Sequence, residues 1–346
     1  MALPASGRMR QGADVNVELG NSATTQISLG QASVRSLYSV ASGAIRLAAD
    51  GYGKSNTVAF GCSTYGTAGT YTFVVPSGIS KISVVCVGGG AMCSFYQCSD
   101  TNFVAGGGSG GALTYTNCIP VTSGESLTVV VGAGAVYQTL IYCYYCGCCS
   151  YYVSCPGGPS YISRGSSVLI RAQGGYIPNT YGSPWPPTPD GNVGSVSYLG
   201  GQSVVTNGGG TPGGGGAGGY AGNGGQGGGT YSPGNAGSGG GGGGGAGAAT
   251  GGSPATVKQS ASGGGVGLLG QGPSGAGGTY SPVSSSRTGG GGGSGGTAGN
   301  NAAPIVNFVT PAGIYGGGSG RFAAAGRGGV RIIYGGTGKS YPSNAT

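Results

Sequence analysis

The sequence predicts an all-β protein: a small β-sandwich-like domain with an inserted polyglycine II-type helical bundle and long loops, preceded by a small docking module. Three observations carry this. Runs rich in β-branched residues, separated by Pro and Gly turns, fill residues 65–137. Glycine supplies 88 of 346 residues, against a usual share of roughly 7%, and it is gathered in blocks. Only 6% of residues are charged while 22 are tyrosine. Disordered chains instead combine low hydrophobicity with high charge.

Residues 1–64 alternate polar and apolar positions in DVNVELG (14–20) and TTQISLG (24–30). Asn21 or Ser22 is placed to cap a first turn. The spacing of Ile27, Leu29, Val34, Leu37 and Val40 predicts one short helix. A module this small has a weak core of its own and is expected to complete it on a partner.

Residues 65–137 read as strands. TYTFVVPSG (70–78) alternates and ends in a Pro-Ser-Gly turn. KISVVCVGGG (81–90) is a buried-type run closed by glycines. GALTYTNCIPV (111–121) alternates again, Gly124 turns the chain, and ESLTVVVGAG (125–134) follows. This is sandwich-like spacing of β-favouring residues. Residues 138–200 form an insertion rich in Cys, Tyr and Pro, and residues 201–329 are the glycine tract. Residues 330–346 hold a short apolar run, Val330, Ile332 and Ile333, that is expected to return to the sheet. The tract then has fixed anchors at both ends.

Glycine pays the largest conformational cost on ordering, and a lone polyglycine strand stays flexible. One geometry offsets this. An extended left-handed helix has three residues per turn and no internal hydrogen bonds, so its backbone groups point outward. Without side chains, such helices approach closely and pair those groups, as burial demands. Turns would come from TYSPGN (230–235), GSPATVKQSAS (252–262), TYSPVSSSR (279–287) and NNAAPIVNFVTPA (300–312). The motif GGTYSP occurs at 228–233 and again at 277–282. A flexible linker predicts Ser-rich monotony without Tyr-Pro punctuation, and collagen requires a strict Gly-X-Y period that is not kept.

Residues 142–155 read YCYYCGCCSYYVSC. Cys143 and Cys146 have the spacing of one half of a zinc site, with Cys93 and Cys98 as a candidate second knuckle. Yet the chain has no histidine, and Cys-Gly-Cys-Cys is cramped for a tetrahedral cage. Disulfides among Cys143, Cys146, Cys148, Cys149 and Cys155 are the favoured reading, since ten cysteines in a thin fold benefit from staples. A nucleophilic cysteine would lack a histidine base. No cofactor is implied. Tyr144, Tyr145, Tyr151, Tyr152, Tyr181 and Trp185, with Tyr231 and Tyr280 of the repeated motif, are candidate receptor contacts. Tyr with Ser, Gly and Asn is the composition of rigid yet adaptable contact loops. The competing reading is that these rings simply cover the glycine core.

The net charge is +8, but the 14 cations are scattered and form no phosphate-tracking stripe, which argues against nucleic acid. The six acids are mostly far apart in sequence, no general base is evident, and no enzyme is expected. The start MALPASGRMRQGADV has no secretory core, and no apolar run approaches membrane-span length. A cytosolic product released inside a particle at host lysis fits both facts.

MALPASG, DVNVELG, TTQISLG, VRSLYSVASGAI and DGYGKSN resemble the N-terminal module of tailed-bacteriophage virion proteins. TYTFVVPSGISKISVVCVGGG and GGGSGGALTYTNCIPVTSGESLTVVVGAG resemble the glycine-rich domain of phage tail-fibre proteins, and GGVRIIYGGTGKSYPSNAT is similar to their C-terminus. The glycine tract resembles, by composition, the polyglycine bundles of fibre-tip adhesins. The resemblance implies a virion structural protein assembled in the host cytoplasm and exposed on the particle. Residues 1–64 would bind other virion proteins, and the remainder would contact a host surface glycan or outer-membrane protein, with homo-oligomerisation open. A collar, whisker or capsid-decorating fibre without receptor binding is the alternative. A bacterial surface protein of prophage origin is a third reading, which the missing signal segment opposes.

Overall fold

A run that is apolar without alternation must be covered on both faces. KISVVCV is such a run, and in the computed structural model every residue of it except Lys81 is buried. The structure describes residues 15, 19–21, 31–38, 60–92, 94–97, 103–136, 141–142, 150–152, 156–176, 191–207, 210–246, 248–249, 260–281, 286–301, 312–320, 323–335 and 339–343. Among them are one helix, α1 (Ala32–Tyr38), and strands β1 (Gly61–Tyr65), β2 (Gly69–Val74), β3 (Lys81–Val87), β4 (Ser94–Gln97), β5 (Phe103–Gly106), β6 (Leu113–Pro120), β7 (Ser126–Val131) and β8 (Ile141–Tyr142). Further along come β9 (Ser150–Tyr152), β10 (Ser160–Arg164), β11 (Ser167–Ala172), β12 (Val196–Tyr198), β13 (Val205–Asn207), β14 (Gly210–Thr211), β15 (Ala248–Ala249) and β16 (Gly329–Tyr334). The protein is thus all-β apart from one short helix.

The chain divides into two units, Met1–Gly61 with Gly335–Thr337, and Cys62–Tyr334 with Gly338–Thr346. In the first, Val34, Leu37 and Tyr38 of α1 are buried with Val15, and Leu19 packs against them. The predicted helix is therefore present over Ala32–Tyr38. Ile27, Leu29 and Val40 lie outside the described residues.

The second unit is built on two sheets. One has the order β1-β16-β3-β6-β12, the other β11-β10-β7-β2. β16 pairs antiparallel with β3 from Gly329 opposite Val87 to Tyr334 opposite Ile82. The expected return of the final apolar run to the sheet is thus observed, and the glycine tract lies between β12 and β16. Strands alternate faces. Ile82, Val84 and Cys86 share a face with Tyr334, whose ring lies 5.7 Å from that of Phe73 on β2; this face meets the second sheet. That sheet also uses β10 and β11, which come from the region read as Cys/Tyr/Pro insertion. The segment YISRGSSVLI alternates around a turn where Gly165 holds a φ of 56°, so the strand pair is local in origin. A third sheet, order β13-β5-β4-β9-β8, was not expected from sequence.

The opposite face of β3 is covered differently. Val85 and Val87, with Leu113, Tyr115 and Ile333, pack against Ala217, Tyr220, Val266, Leu268 and Tyr341. The glycine tract is thus a third layer. Tyr220 is its main plug: its ring stacks on Tyr341 at 5.9 Å and lies 6.0 Å from Tyr115. Its hydroxyl donates to Gly267 O at 3.1 Å and accepts from Gly270 N at 3.2 Å. Asn117 holds the tail in place, donating to Tyr341 O and accepting from Tyr341 N.

Within the tract, the backbone pairs by a rule of three. Gly213, Gly216 and Gly219 donate to Gly228, Gly225 and Gly222; Gly214 and Ala217 donate to Ala261 and Gly264; Gly215 and Gly218 donate to Gly108 and Gly111. All seven bonds measure 2.8–3.0 Å. Successive N–H groups therefore reach three different neighbours in rotation. The strands run directly into this array. Just past β3, Gly88, Gly89 and Gly90 donate to Ala112, Gly158 and Gly326 in turn. The spacing tolerates no side chain: a Cβ on Gly216 would stand 2.0 Å from Gly242 O.

Gly216→Ala is therefore expected to destabilise by about 3 kcal/mol, the upper range of overpacking penalties. Gly229→Ala, whose Cβ would meet nothing nearer than Val204 Cγ1 at 3.9 Å, should change stability by less than ~1 kcal/mol. Chemical denaturation of the two variants checks this, and equal effects would contradict the packing rule. Burial also pushes the phenols of Tyr220 and Tyr341 well above their ordinary value of 10.0. A raised acid pKa contributes stability that is full below the unfolded value and is lost as pH climbs toward the folded one. Stability should hold up to about pH 10 and fall above it, with these phenols ionising only as the chain opens. Alkaline unfolding followed by tyrosinate absorbance reads both.

Candidate functional site

The two copies of the GGTYSP motif lie side by side in the glycine array. In the first copy, Ser232 N donates to Gly229 O at 3.1 Å, and Tyr231 holds a φ of 56°. A non-glycine residue in this left-handed region costs about 1–2 kcal/mol. In the second copy, residues 279–281 lie antiparallel to residues 286–288. Thr288 N donates to Thr279 O, Ser281 N to Ser286 O, and Tyr280 bridges Arg287. The two threonine side chains close the base, with Thr279 N donating to Thr288 Oγ1 at 2.7 Å. Gly234 N then donates to Gly278 O at 2.9 Å, binding the two copies together.

This brings the two motif tyrosines into contact. The rings of Tyr231 and Tyr280 lie 5.7 Å apart at 58°, a favourable tilted geometry. Tyr231 is 54% exposed. Arg287 sits on the other partner: its guanidinium carbon lies 5.8 Å from the Tyr280 ring centroid, within cation–π range. Arg287 is only 7% exposed, and neither Nε nor Nη2 has a hydrogen-bond partner among the described residues. The arrangement offers an aromatic surface and an unsatisfied cation.

The other sequence candidates are placed as follows. Tyr151 and Tyr152 lie on β9, opposite Tyr96 and Phe95 of β4. Tyr144, Tyr145, Tyr181 and Trp185 lie outside the described residues, as do Cys143, Cys146, Cys148, Cys149 and Cys155. The cysteines that are described, Cys62, Cys86 and Cys118, are free thiols. Cys86 is fully buried, and burial pushes its thiol up. Among the described residues, no group of three or more His, Cys, Asp or Glu could hold a metal ion. No described helix is long and apolar enough to cross a membrane. Arg287 was missed by sequence reasoning. Its signal was available: it follows the second GGTYSP, and residues 191–346 contain six Lys or Arg and no Asp or Glu.

No family model matches the chain. No curated protein matches it significantly in sequence.

The strain at Tyr231 gives a direct test. Tyr231→Gly and Tyr231→Ala both remove the ring, but only glycine accepts the left-handed conformation without penalty. Tyr231→Gly should be more stable than Tyr231→Ala by about 1 kcal/mol. Equal unfolding midpoints would show that this backbone conformation is not held in solution.

Proposed function

We propose that this protein is a structural component of a bacteriophage particle, a tail-fibre or adhesin subunit that contacts the host cell surface. The observation that carries the reading is the meeting of Tyr231 and Tyr280 in the glycine array, where the two copies of one motif build an aromatic pair, Tyr231 exposed and Tyr280 half-buried. The phage-like segments at 1–56, 70–134 and 328–346 support it from the sequence. In this reading the array is a polyglycine II-type bundle. Its hydrogen bonds rotate through three neighbours with a period of three residues, as an extended three-fold helix requires. Residues 1–64 serve as the virion-docking module, with other virion proteins as partners. A host glycan or outer-membrane protein is the outer partner, and the protein works by binding, not catalysis. Its place is the virion surface.

Adsorption of purified, fluorescently labelled protein to candidate host cells tests this, with intact phage as competitor. Saturable binding that blocks infection is the expected result. Folded protein that binds no host cell would instead favour a collar, whisker or capsid-decorating role. Replacing Tyr144, Tyr145, Tyr181 and Trp185 by alanine, which leaves strands β10 and β11 intact, separates the two aromatic regions: adsorption that survives these substitutions favours a contact at the Tyr231–Tyr280 pair.

A further inference from the structure

We propose that Tyr231, Tyr280 and Arg287 form a subsite for an anionic saccharide, one whose sugar ring rests on the exposed tyrosine while its carboxylate or phosphate pairs with the guanidinium. This rests on the adhesin reading and names the chemistry of its ligand. The aromatic part is the simpler half. Tyr231 presents its ring to solvent from a strained turn, and strain of this kind tends to be kept at binding sites. A phenol ring offers an apolar face and a polar edge at low entropic cost, which suits the apolar face of a sugar.

The cation decides the ligand's charge. A buried guanidinium with Nε and Nη2 both unpaired is a costly arrangement. Residues 191–346 contain no carboxylate side chain that could pair with it locally. What Arg287 does have is the Tyr280 ring, a weak cation–π partner. A ligand carboxylate or phosphate would provide the two parallel acceptors that a guanidinium fork matches best. Nε and Nη2 are covered in the present arrangement. Entry of the acid group therefore requires that cover to open, which would expose both donors to a charge-assisted pair. The uniformly cationic character of residues 191–346 draws anions toward this part of the chain.

Isothermal titration of the full chain at low salt with three probes tests the proposal: trigalacturonate, its methyl ester and glucose 6-phosphate. An anionic probe should bind, trigalacturonate if the acid is a carboxylate and glucose 6-phosphate if it is a phosphate. The neutral ester should bind about tenfold or more weakly than its parent acid, the weight of a hydrogen-bonded charge. Arg287→Gln should abolish the preference for charge, Arg287→Lys should keep part of it, and the exposed-site variant Tyr231→Ala should weaken binding of any probe. Circular dichroism confirms that each variant is folded. Equal affinity for acid and ester would overturn the proposal, as would an Arg287→Gln protein that keeps the preference. So would failure of all three probes to bind while labelled wild-type protein still adsorbs to host cells, an outcome that leaves the adhesin reading intact. Charge-selective saccharide binding without any cell adsorption would instead remove the adhesin reading alone.

Discussion

Close approach of backbones that carry no Cβ is the constraint on which the rest of this structure depends. In the glycine array most peptide groups find a partner on a neighbouring segment, because a buried backbone group left unpaired is costly. Those partners are reached at 2.8–3.0 Å along residues 213–219. At its glycines that approach is possible because no methyl group is present to overlap a neighbouring carbonyl. The cost is conformational: glycine loses more freedom on ordering than any other residue. The compensation comes from rotating hydrogen bonds through three neighbours, so that each segment is fixed from several directions at once.

The array is not self-sufficient. Its inner side lies on an apolar sheet face formed by Val85, Val87, Leu113, Tyr115 and Ile333, and its glycines continue the sheet strands without a break. Tyr220 is the point where the two kinds of order meet. Its ring supplies hydrophobic area that glycine lacks, and its hydroxyl closes two backbone groups that would otherwise be buried unpaired. Tyr341 completes the stack from the far end of the chain, held by Asn117 on the bulged strand β6. A small number of large side chains thereby fixes a large, nearly side-chain-free layer.

The same architecture explains where recognition chemistry can reside. An array that excludes side chains has nothing to offer a ligand along its length, so chemical variety is confined to the turns at its ends. There the chain keeps Tyr, Ser, Thr, Pro and one arginine. Hydrogen bonds from the array, such as Gly234 N to Gly278 O, set the distance between neighbouring turns. A rigid scaffold carrying varied loops is a common arrangement for binding. Here the scaffold is backbone alone.

Much of this was legible in the sequence. β2, β3, β6 and β7 follow from alternation, β-branched content and turn residues, and the final strand follows from a short apolar run after the last glycine block. The repeated GGTYSP motif marked Tyr231 and Tyr280 as a pair. What local pattern could not decide was partnership. The strands β4, β5, β9 and β13 are too short to stand out from their composition, and they exist as a sheet only because they pair. Arg287 reads as one more scattered cation until the fold sets it beneath Tyr280 and leaves two of its donors unpaired. Tyr220 is one ring among 22 tyrosines until the sheet face and the tail close over it. Sequence determined which segments would be extended, which would lack side chains and where the chain would turn, since those depend on each residue's own geometry. Tertiary structure alone decided which turns meet and which polar groups go unsatisfied, because those depend on contacts between residues far apart in the chain.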